Sequence, residues 1–154
     1  MDSSDGTDVA ALSCVFCTGQ LAGMMLAIAV AQVATANLPE EAWTSRQQAD
    51  DTLFRKVMPL VFALNILTIS MAFVRTEKAR RRYFGAAGLF FLGTVADTLL
   101  INVPINVTIS NWKPGAAPET WRVERDKWLQ AHWLRTVFGT LSFGLSALGM
   151  QLKP

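Results

Sequence analysis

The reading of residues 121–152, WRVERDKWLQAHWLRTVFGTLSFGLSALGMQL, decides the fold. Its second half, 136–152, is 17 residues without a charge, close to the ~17–25 needed to span a bilayer. Its first half carries Trp121, Arg125, Trp128, His132 and Arg135 at steps of 4, 3, 4 and 3. At about 100° per helical residue, these five side chains share an arc of about 80°. A coiled-coil seam would carry Leu or Val there. This seam carries indoles, guanidiniums and the one histidine of the chain. A single helix is expected through both halves, its aromatic and cationic stripe leading into a membrane segment.

The remaining sequence repeats the apolar pattern three times. Residues 9–38 and 57–74 are uncharged, and 83–111 holds a single charge, Asp97. In a soluble four-helix bundle each helix would keep a polar face. These segments are apolar all round. The expected fold is all-α, an integral membrane four-helix bundle forming one domain over 1–154. Its spans are 10–36, 57–74, 83–106 and 129–152, with helix 4 extended beyond the bilayer at its N-terminal end. Residues 1–8 hold three aspartates and no basic residue. A signal peptide needs a basic start, so the first helix is expected to be retained.

Topology follows from basic residues. The connection 75–82 holds Arg75, Lys78, Arg80, Arg81 and Arg82, which places it, and both termini, on the cytoplasmic side. The connections 39–56 and 112–135 then share the other side. No basic–aromatic platform stands away from the membrane, so nucleic acid is not an expected partner. The lipid bilayer is. No retention motif fixes which membrane: endoplasmic reticulum or another endomembrane in a eukaryote, plasma membrane in a bacterium.

Landmarks follow along the chain. Gly19 and Gly23 form a small-xxx-small face that suits packing within the bundle or self-association. Gln20 beside them is expected to bond across to another helix. The first connection, 39–56, reads as helical, with Pro39 and Glu40/Glu41 suiting a helix start; Trp43 there fits an interfacial anchor, and Met58-Pro59 should open the second span, where proline costs least. Thr98, Asn102 and Asn106 recur every fourth residue, and Pro104 should kink that end. Thr120 and Glu124 approach a capping arrangement for the last helix.

His132 is the strongest catalytic candidate, because an imidazole can take and return a proton near neutrality. Arg125 and Arg135 suit an anionic or phenolic oxygen, or else acidic neighbours and lipid phosphate. Trp121 and Trp128 can stack on a flat ligand, or form an aromatic belt. Asn102 and Asn106 can donate to an oxyanion or clamp two helices. Asp97 reads as structural. Cys14 and Cys17 form a lone CxxC with no second pair to receive electrons. One histidine and two distant cysteines make no zinc site. A haem would have His132 as axial ligand, without a second ligand or attachment motif.

The combination of Asn102-Val-Pro-Ile-Asn106, Trp112 and the Trp121-to-Arg135 stripe resembles the anthrone-oxygenase-like family of small four-span membrane proteins. The resemblance covers the whole chain in length and hydropathy. It implies oxidation of an anthrone to an anthraquinone by O2 in aromatic polyketide biosynthesis, a part of secondary metabolism, with no cofactor. The partner is then a flat, phenolic aromatic molecule. His132 would be the base; Asn102, Asn106, Arg125 and Arg135 would hold the oxygen; Trp121 and Trp128 would sandwich the rings. The other classes are a quinone-linked thiol–disulfide oxidoreductase using Cys14 and Cys17, and a non-catalytic membrane adaptor.

Overall fold

The computed structural model describes residues 3–152. Its elements are α1 (Ser3–Ala34), α2 (Glu40–Arg75), α3 (Lys78–Asp97), a π-helical turn (Thr98–Asn102), α4 (Val103–Ser110) and α5 (Trp121–Gln151). The π turn joins α3 to α4 in one rod, Lys78–Ser110, so the helices form four rods. No strand occurs among the described residues. Three rods, Val9–Ala34, Glu40–Arg75 and Lys78–Ser110, are long and apolar enough to cross a membrane. Leu60, Leu67, Leu89, Leu92 and Leu100 point outward on them, an apolar exterior that suits lipid.

α5 packs along α3 and α1, and α2 packs on α1 and α3. Leu21, Met25, Ile69, Phe84 and Phe91 form the main apolar core. Small residues set the spacing of the rods. A Cβ on Gly139 would meet Met25 Sδ at 3.3 Å, and one on Gly149 would meet Tyr83 Cβ at 3.0 Å. Polar side chains tie rod to rod through backbone carbonyls, as lipid offers no water. Ser142 Oγ donates to Ala87 O at 2.8 Å, and Arg80 Nε donates to Gly149 O at 3.0 Å.

Several local expectations are corrected. α2 starts at Glu40, as Pro39 and Glu40/Glu41 suggest, but Met58-Pro59 opens no separate element: one 36-residue helix runs through Pro59. Proline removes one N–H and crowds the carbonyl four residues back. The rod is held on both sides of it: Ile69 and Ala72 pack in the core beyond it, and polar bonds hold the part ahead of it. Gln32 Nε2 donates to Gln47 at 3.0 Å, and Gln48 Nε2 donates to the carbonyls of Ile109 and Trp112, each at 2.9 Å. Trp43 is no interfacial anchor; it is buried against Trp121 and Ile109. Gln20 lies exposed and, among the described residues, bonds to no other helix. Thr120 starts α5 without a side-chain capping bond, and Glu124 pairs with Lys127 instead. A π turn stands directly ahead of Pro104. The π turn takes up the fault, with the Val103 N–H donating to Thr98 O.

Gly149→Val should overpack the contact with Tyr83 and Phe84 and cost about 1–3 kcal/mol. Thermal unfolding in detergent, read by size-exclusion chromatography, should show a lower midpoint. An unchanged midpoint would contradict this packing.

Candidate functional site

A cavity of about 100 Å³ lies between α1, α2, the π turn with α4, and α5. Its wall includes Trp128, His132, Arg135, Asn102 and Asn106. It is smaller than the ~300–1,000 Å³ of drug-sized ligand pockets. Three of its lining residues are Met24, Met25 and Met58, whose unbranched side chains repack easily.

His132 is fully buried on α5. Its Nε2 lies 2.9 Å from Met25 O on α1. A carbonyl only accepts, so Nε2 carries the hydrogen. Its Nδ1 receives Arg135 Nε at 2.9 Å and Arg135 Nη2 at 2.6 Å, so Nδ1 holds a lone pair. The partners thus assign a neutral imidazole of one tautomer. Trp128 lies parallel to this ring, with centroids 4.9 Å apart and planes 6° apart. The Arg135 guanidinium sits 5.6 Å from the Trp128 ring centroid and donates from Nη1 to Thr98 Oγ1 at 3.3 Å. The i, i+3 and i, i+4 steps of α5 make these contacts, so Trp128, His132 and Arg135 behave as one unit.

The π turn builds the opposite wall. In an α-helix, Asp97 and Asn102 would lie about 140° apart. The wider π turn brings residues five apart onto one face. Asn102 Nδ2 accordingly donates to Asp97 Oδ2 at 2.9 Å. Asn106 sits at the cavity's polar side. Its Nδ2 donates to Asp51 Oδ1 at 2.8 Å, and its Oδ1 accepts from Gln47 Nε2 at 3.3 Å. Asp51 also pairs with Arg55 at 2.5 Å.

Buried polar atoms normally find a partner. Trp128 Nε1, Asn102 Oδ1 and Asp97 Oδ1 have none. Trp128 and Asn102 line the cavity, which therefore has a spare donor and a spare acceptor in its wall. Such a wall suits a ligand with hydroxyl or carbonyl groups.

The stripe divides. Trp121 and Arg125 do not line the cavity. Trp121 packs on Trp43, centroids 5.7 Å apart, while Trp128 lines the cavity. Arg125 Nη1 donates to Ala36 O at 2.7 Å, and its guanidinium pairs with Asp126. It ties the start of α5 to the end of α1. Sequence reasoning did not point to Met25, Gln47 or Asp51, whereas Thr98 shares the face already read for Asn102 and Asn106. Met25 acts through its backbone carbonyl, which no side-chain pattern signals. Cys14 and Cys17 are free thiols, Cys14 buried with Sγ 3.4 Å from Ser146 Oγ.

Asn102→Ala removes the donor to buried Asp97 and should cost about 1–3 kcal/mol. Asn106→Ala, in a half-buried polar chain, should cost less. Chemical or thermal unfolding of both variants checks the order; a larger loss for Asn106→Ala would contradict it.

Comparison with known proteins gives one family. A protein-family model described as anthrone oxygenase matches residues 51–145. The match holds Asn102, Asn106 and the whole stripe, and it omits α1. No curated protein and no solved structure matches the chain.

Proposed function

The chain belongs to the anthrone oxygenase family, and from that premise we propose a membrane-embedded oxygenase that converts an anthrone to an anthraquinone with O2 and no cofactor. One observation carries the proposal. A neutral imidazole, stacked on an indole and held by a guanidinium, lines a cavity with an unsatisfied donor and acceptor. That chemistry fits a flat, oxygen-bearing ring system whose central methylene is acidic. In this reading residues 129–152 of α5 form the fourth span. The pathway is aromatic polyketide biosynthesis in a secondary metabolism, and the membrane is an endomembrane or a bacterial plasma membrane.

The step divides as follows. The substrate oxygen draws the Arg135 guanidinium away from His132 and exposes the Nδ1 lone pair. Nδ1 takes a proton from the central methylene, and the electron pair left behind spreads into the ring system as an enolate. Arg135 stabilises the oxygen that gains this charge. The enolate passes one electron to O2; the ring radical and superoxide combine, forming a C–O bond. The resulting peroxide anion recovers the proton from His132. Loss of the second methylene hydrogen with cleavage of the O–O bond releases water and leaves the quinone carbonyl. One O2 is consumed, one oxygen atom enters the product, and the other leaves as water.

The side chains divide the remaining work. Trp128 offers its N–H, and Asn102 its Oδ1, to substrate hydroxyl or carbonyl groups. Met24, Met25 and Met58 yield to admit the rings. Asn106 holds the polar mouth through Asp51. Trp121 and Arg125 act on the position of α5, not on the substrate.

Purified protein in lipid should take up O2 with a dihydroxyanthrone faster than the spontaneous reaction. His132→Ala should lower kcat by about 10²–10⁴-fold, the usual worth of a positioned base. A wild-type rate would remove His132 from the chemistry. The variant Cys14→Ser with Cys17→Ser should keep at least half the activity. Its loss would favour thiol–disulfide chemistry.

A further inference from the structure

We propose that the outward face of α1 binds a second copy of the chain, and that Gln20 pairs with its own counterpart across the two-fold axis. The face is continuous. Val9, Leu12, Phe16, Gln20, Gly23, Leu26, Val30 and Val33 are all exposed. They follow at steps of 3, 4, 4, 3, 3, 4 and 3, the spacing of a helix–helix seam. Seven of the eight are apolar or glycine. The eighth, Gln20, lies near the middle of the candidate span Val9–Ala34 and makes no hydrogen bond among the described residues.

An amide at that depth meets no water and must find a protein partner. Lipid chains do not supply one. A second copy does, because membrane insertion gives both copies one orientation. A two-fold axis along the membrane normal brings Gln20 opposite Gln20. Each amide holds both donors and an acceptor, so the pair is self-complementary. A single polar residue in an apolar seam also fixes register and partner number.

Two further features support close approach. A Cβ on Gly23 would meet no atom within 4 Å, so its backbone is open to a neighbouring helix. Gln20 and Gly23 also border a groove of about 420 Å³ between α1 and α2. Asn65, 1% exposed, lines that groove, and its Oδ1 has no partner. The groove therefore asks for a donor, which the second copy's Gln20 amide can give with the N–H not used in the Gln20 pair. Gly19, by contrast, is covered by Phe143 of the same chain. The seam thus uses one of the two glycines only. α1 lies outside the stretch that matches the family, and the inference stands apart from the oxygenase reading.

The test is single-molecule photobleaching of full-length, singly labelled protein in liposomes at graded protein-to-lipid ratios. The wild type should show two-step bleaching that dilutes out reversibly. Gln20→Leu should raise the dissociation constant about tenfold or more, and Gly23→Leu should do the same by blocking the approach. Both substitutions put a leucine on an exposed face, so folding should hold, and an unchanged thermal midpoint checks it. Leu92→Ile, on another exposed face, should leave the dimer unchanged. A monomer at every ratio would overturn the proposal. So would a dimer indifferent to both α1 variants, or a lipid found tightly held in the groove of the monomer.

Discussion

The bundle depends on one constraint: inside a bilayer, a polar group that leaves its own helix must find another protein group. The His132 ring shows the result. Its Nε2–H donates to Met25 O on α1, a carbonyl that already serves its own helix and spends its second lone pair here. That bond joins α5 to α1 and sets the ring's tautomer. The tautomer in turn turns a lone pair toward Arg135. Packing, protonation and the shape of the cavity therefore follow from a single contact.

The opposite wall obeys the same constraint through backbone geometry. A proline two residues into α4 removes a donor from the rod Lys78–Ser110. A π turn absorbs the fault and rotates Asp97 and Asn102 onto one face, where they bond. π turns often occur at functional sites, and here the turn lines the cavity. The pair is only partly satisfied: Asp97 Oδ1 and Asn102 Oδ1 remain without partners. Unsatisfied atoms in a dry interior are costly. Asn102 stands in the cavity wall and Asp97 beside it.

Much of this was legible in the residues. Uncharged runs gave the apolar rods, and helical spacing put Trp128, His132 and Arg135 on one face. Asn102 and Asn106 share the cavity with them because both sit at the same end of the bundle. Other features were not legible. The helix start at Pro39/Glu40 was readable, but that the helix runs unbroken through Pro59 was not. Trp43 reads as a belt residue because its partner Trp121 lies 78 positions away. The five-residue stripe looks uniform along the sequence. Yet the ends of α1 and α2 claim Arg125 and Trp121, leaving three members for the cavity.

With one histidine in the chain, the nitrogen-15 NMR spectrum of labelled protein in lipid contains one imidazole. At neutral pH the account predicts a protonated Nε2 and a bare Nδ1. On adding a dihydroxyanthraquinone, the Nδ1 resonance should move as Arg135 shifts to the ligand oxygen, while Nε2 stays on Met25. A resting imidazolium, an Nδ1–H tautomer, or an Nδ1 signal indifferent to saturating ligand would contradict it.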